Sequence, residues 1–99
     1  MTLDGIRDKI RVGQYVFSDH AVKRMIKRAI LRQEVETVIS EGEIIEEYPY
    51  DKYSPSCLVY GKTEAGRELH IQVSSPPVVV VITAYEPDPE EWENGRNRR

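Results

Sequence analysis

At 99 residues the chain has material for a single hydrophobic core, and its 39% hydrophobic and 31% charged content is that of a globular domain. A formal net charge of −3 speaks against general nucleic-acid binding, which needs Lys and Arg in excess, and no apolar run approaches the roughly 18 residues of a membrane span. One cysteine, Cys57, closes no internal disulfide, and with two histidines it is thin material for zinc, so no metal, no cofactor and a reducing cytoplasm are expected.

The N-terminal MTLDGIRDKI has no uninterrupted apolar core of the kind a signal peptide carries. Leu3, Ile6 and Ile10 instead recur at three and four residues and predict a first helix, stopped near Gly13. Ser18 stands where an N-cap belongs, and Asp19 meets the positive end of the dipole of a second helix. Ala21, Val22, Met25 and Ile26 supply its buried stripe, with His20, Lys23, Arg24 and Lys27 beside or opposite it. A third helix is expected from about Arg32 to Ser40, burying Val35, Val38 and Ile39, with Gly42 as a left-handed stop.

Beyond Gly42 the period changes to two. EIIEEY (43–48), SCLVYGKT (56–63), ELHIQVS (68–74) and VVVVITAY (78–85) predict four β-branched-rich strands, the last central because Val78 to Ile82 is apolar on both faces. In the third, Leu69, Ile71 and Val73 point one way, and Glu68, His70 and Gln72 the other. Glu64 to Arg67 closes a short hairpin, and Gly61 marks a bulge or a close approach. Pro87 and Pro89 end the last strand. The expected fold is a single α+β domain over residues 1–92, with N-terminal helices on one face of a four-stranded antiparallel sheet, then a disordered basic tail at 93–99.

Charge is divided along the chain. Eight bases and two acids lie between Arg7 and Arg32, whereas five acids and no base lie between Glu86 and Glu93. A local cationic patch is therefore compatible with the overall sign. His20 and Arg24, one turn apart, with Arg28 a turn further, form a row suited to a phosphate. His70, Thr83 and Tyr85 would form a polar floor if they share the open sheet face. Two imidazoles there would suit acid–base chemistry on a phosphodiester. Cys57, flanked by apolar residues, reads as core, and Tyr48, Tyr50 and Tyr53 with Pro49 and Pro55 read as a packed loop. No clustered carboxylates favour a metal-dependent nuclease.

FSDHAVKRMIKRAI, then EVETVISEGEIIEEYPYD, then the hairpin Gly61 to Ile71, then VVVVITAYEPDPEEW, resembles the bacterial and archaeal family of domain of unknown function 4258, over roughly residues 16 to 92. The resemblance implies kinship with RelE-like toxins in the barnase, EndoU and colicin ribonuclease grouping, a matching fold, and an antitoxin protein as partner. By position it implies catalytic roles for His20, His70 and Tyr85, and phosphate-binding roles for Arg24, Arg28 and Thr83. The family's third helix opens on a Gly-Ile-Ser/Thr entry, and Ala29-Ile30-Leu31 departs from it. The leading expectation is a metal-independent endoribonuclease working by 2′-hydroxyl attack on RNA. The alternative is a catalytically silent module that binds a protein partner or pairs as a homodimer, using segment 86–93 and the Tyr48–Tyr53 loop; in neither is a membrane involved.

Overall fold

The computed structural model describes residues 1–51 and 54–99, so Tyr53 of the expected tyrosine loop lies outside the described residues. Three helices form where the apolar spacing places them: α1 (Asp4–Arg11), α2 (Asp19–Arg28) and α3 (Arg32–Glu41). Ile6 and Ile10 of α1, Ala21 of α2, and Val35, Val38 and Ile39 of α3 are buried. Ser18 caps α2 as expected. Its hydroxyl accepts the Ala21 N–H at 3.0 Å and donates to the Ile82 carbonyl at 2.8 Å, joining helix start to sheet.

The fold is α+β, but the sheet has five strands rather than four and is mixed rather than antiparallel. β2 (Glu43–Tyr48), β3 (Ser56–Lys62), β4 (Glu68–Ser74) and β5 (Val80–Tyr85) form the expected meander. A two-residue strand, β1 (Val16–Phe17), adds in parallel beside β5, giving the order β1-β5-β4-β3-β2. Two residues between helices are too short for a periodic signal, so no reading of alternation could have found β1. With β1 outside it, β5 is interior, although it starts at Val80 and leaves Val78 exposed.

The helix-facing side of the sheet and the three helices make one core that includes Ala21, Val38, Val59, Leu69, Ile71, Val73, Val81 and Ala84, with Met25 packed against it. Gly61 sits in that layer because α3 comes close: a Cβ there would lie 3.1 Å from the Val38 side chain. Gly42 ends α3 in an extended conformation, φ −84°, rather than the left-handed one expected. The need for glycine is steric, since a Cβ at Gly42 would fall 2.4 Å from the Tyr60 carbonyl oxygen.

Residues 93–99, expected to be disordered, are ordered together with Trp92. β6 (Trp92–Glu93) and β7 (Asn97–Arg98) form a second, two-stranded sheet. Asn94 and Gly95 turn the chain, both at positive φ (55° and 72°), and the Arg96 N–H donates to the Glu93 carbonyl at 3.1 Å. Asn-Gly is the dipeptide such a turn favours. The hairpin is held because Trp92 has a face of the large sheet to bury against.

Candidate functional site

Alternation in β4 decides where the expected site residues fall. Leu69, Ile71 and Val73 enter the core beneath the helices, so Glu68, His70 and Gln72 project from the opposite face. Strand register places Tyr60 and Tyr85 beside His70, and Thr83 beside Gln72, on that same far face. α2 packs on the near face through Ala21 and Met25. The sheet therefore stands between His20, Arg24 and Arg28 on one side and His70, Thr83 and Tyr85 on the other. The two imidazoles expected to share one phosphodiester do not meet.

His70 is also not open. It is fully buried, at 0% exposure, although it was expected on a partly open face. Its Nε2 donates to the Gly95 carbonyl at 2.5 Å, which leaves Nδ1 to accept from the Tyr85 hydroxyl at 3.2 Å. Trp92, 2% exposed, stands edge-on to the imidazole with ring centroids 4.5 Å apart. Burial lowers the His70 pKa from its ordinary value, against the opposing pull of the Gly95 hydrogen bond and nearby Glu46. Burial likewise raises that of Tyr85. The ring is a neutral structural group beneath the C-terminal hairpin.

Around it the far face carries acids and hydroxyls that the sequence did not single out. Burial pushes the Glu46 carboxyl up, but hydrogen bonds from Arg98 and Tyr48 outweigh it and hold the group below its usual range. Tyr48 donates to Glu46 at 2.6 Å, and burial together with that carboxylate raises the phenol to about 12. Tyr60 donates to Glu68 at 2.7 Å. Tyr50, expected in a packed loop, is 96% exposed. Cys57 is core as expected, and burial raises its thiol to about 11, which keeps it protonated and unreactive.

The near-side cations differ in availability. Arg7 is consumed at the end of α3, donating to the Ile39 and Gly42 carbonyls at 2.9 and 2.8 Å. Arg32 is engaged by Tyr15 and Glu36. Arg67, which the sequence did not single out, ties the end of α2 to the sheet: it donates to the Arg28 and Ala29 carbonyls and pairs with Glu34 and Glu86. By contrast, Lys23, Arg24 and Lys27 have no ion-pair or hydrogen-bond partner among the described residues. His20, Lys23, Lys27 and Arg28 are exposed and Arg24 is half-buried.

At 100° per residue, Lys23 and Lys27 lie between the His20–Arg24 flank of α2 and an apolar flank made by Val22 and Ile26. The apolar flank borders a groove of about 310 Å³ lined by Phe17, Val22, Met25, Ile26, Ala29, Ile30 and Leu31. Ile26 is 77% exposed and Leu31 62%, unusual for side chains of that size in a domain with a complete core elsewhere. Among the described residues no group of three or more His, Cys, Asp or Glu side chains is placed to hold a metal ion, and no helix is long and apolar enough to cross a membrane.

These features define a small α+β domain whose sheet bears helices on one face and its own C-terminal hairpin on the other. Residues 17–86 match the family described as a domain of unknown function (DUF4258), and the chain belongs to that family. No curated protein and no solved structure matches it.

Proposed function

We propose that this chain is a protein-binding module that takes an acidic amphipathic helix of another protein against the outer face of α2. The observation that carries the reading is the pairing, on one helix, of an exposed apolar groove with cations that no carboxylate among the described residues neutralises, in a chain where acids outnumber bases. An amphipathic helix would lay leucine-like side chains along Val22, Ile26 and Leu31 and set its acids against Lys23 and Lys27. Leu31 supports this in a second way. It occupies the N-cap of α3, where it makes no side-chain cap bond, and it is exposed, so neither capping nor core packing accounts for it.

The kinship with RelE-like toxin ribonucleases rests on the sequence resemblance, and in that setting the partner would be an antitoxin. The expected two-imidazole mechanism has no geometry behind it, because His70 is sealed and lies across the sheet from His20. Any RNA chemistry would fall to His20 alone, beside Arg24 and Arg28.

The test titrates the full chain with two fluorescein-labelled helical peptides of identical apolar spacing, one with Glu and one with Lys on the polar face. The acidic peptide is expected to bind and to weaken as salt rises, and Ile26→Asp is expected to reduce its affinity at least tenfold. Equal binding of both peptides, or of neither, overturns the reading. Single-turnover RNA cleavage in EDTA that disappears in His20→Ala would replace it with the nuclease.

A further inference from the structure

The far face of the sheet already holds a peptide, and that peptide is the chain's own residues 92–98. Arg98 forks both carboxylate oxygens of Glu46 at 2.7 and 3.1 Å and lies 4.5 Å over the Trp92 ring. Arg96 pairs with Glu43 at 3.1 Å and lies 5.1 Å over Tyr60. Trp92 covers His70, and the Gly95 carbonyl accepts the hydrogen bond from its Nε2. The bidentate guanidinium on Glu46, the Arg96–Tyr60 cation–π contact and the indole over His70 form a specific recognition surface for a hairpin that the Arg98–Trp92 contact stiffens internally. None of these contacts depends on which copy of the chain supplies the hairpin.

The connection to that hairpin favours release. Residues 86–91 belong to no helix or strand. They fold back through a turn in which the Glu91 and Trp92 N–H groups, each at 2.9 Å, donate to the Asp88 carbonyl. Pro87 and Pro89 fix φ near −65° and stiffen the segment toward extended backbone. Asp88, Glu90 and Glu91 lie within four residues with no base among them, and their repulsion falls as the segment opens, while Glu86 stays anchored to Arg67 at the strand end.

We propose that the hairpin exchanges between two copies of this chain, each sheet taking residues 92–98 of the other in a closed two-fold dimer. In the monomer the tether gives the hairpin a millimolar effective concentration at its own sheet, so exchange is revealed when the internal contact is blocked. This interface is on the opposite side of the sheet from the α2 groove and does not depend on what that groove binds.

Charge reversal isolates the exchange. Glu46→Arg sets two guanidiniums against each other within one chain, and Arg98→Glu sets two carboxylates. In a mixture, each sheet meets a complementary hairpin only across copies. Each variant alone is expected to elute as the 11.5 kDa monomer, and the equimolar mixture as a species of twice that mass by light scattering. A mixture that stays monomeric while both variants keep the wild-type circular dichroism overturns the proposal. Deleting residues 87–89 in the otherwise native chain gives a second reading, since a tether too short to fold back must exchange. A dimer is expected, and a monomer overturns the proposal.

Discussion

Ala29 is held in a backbone conformation that its side chain opposes. It ends α2 at φ 54°, ψ 44°, in the left-handed region where a Cβ costs about 1–2 kcal/mol. Its N–H and that of Ile30 are committed there, donating to the Ile26 and Met25 carbonyls at 3.3 and 2.9 Å, so the conformation is fixed by the helix end rather than by the residue. Ala29→Gly is expected to stabilise the protein by about 0.5–1 kcal/mol, the relief of strain exceeding the extra chain entropy glycine loses on folding. A raised urea midpoint with an unchanged slope is the expected observation, and a lowered midpoint would contradict the account. The departure from the family's Gly-Ile-Ser/Thr entry at residues 29–31 was visible in the sequence, and its last position, Leu31, removes a hydroxyl from the N-cap of α3. Its other consequence, at the end of α2, required knowing that the helix closes in the left-handed region. Gly42 shows the converse: glycine in a stop position looked like a φ requirement and proved to be a clearance requirement, set by a strand 18 residues away in sequence.

The element that changes most between sequence and structure is the C-terminal hairpin. Its turn dipeptide, Asn94-Gly95, stands in the sequence beside the single tryptophan, but the segment was expected to be a disordered tail. What could not be read was that the far face of the sheet offered Glu46, Tyr60 and His70 as its complement, because sheet register brings those three together from separate strands. The docked hairpin makes a pH prediction. His70 is neutral and its pKa is lowered by burial, so the unfolded chain, titrating near 6.5, takes up a proton before the folded one does. Stability is therefore full above about 6.5, falls as the pH drops below that value, and stops falling on this account once the pH passes the lowered folded value. Glu46 and Glu86, held low in the folded state, add their own loss only as the pH falls below about 4.5. Urea unfolding from pH 8 to 4 is expected to show the upper decline in wild type. Trp92→Ala, which removes the cover over the imidazole, is expected to flatten the decline below 6.5 while leaving that below 4.5 from Glu86. An undiminished upper decline in that variant would mean that the hairpin is not what keeps His70 neutral.

At the scale of the whole molecule, the sequence delivered each surface but not their separation. Alternation put Thr83 and Tyr85 on one face, strand register sets His70 beside Tyr85, and helical spacing put His20, Arg24 and Arg28 along one flank of α2. Neither periodicity says on which side of a sheet a helix lies, and the helix side was settled by Ala21 and Met25 joining the layer of Ile71 and Val81. The chain thus has two independent faces, one closed by its own hairpin and one left with an apolar groove. That division makes fold and binding separable at Leu31. A serine there would supply the missing N-cap hydroxyl of α3, expected to add about 1 kcal/mol to stability. The same change strips an apolar anchor from the groove and is expected to weaken acidic-peptide binding about tenfold, or about 1.4 kcal/mol. Leu31→Ser should therefore be more stable and a poorer binder. If it proves less stable with binding intact, Leu31 serves the fold, and the groove loses its main claim to be a contact surface.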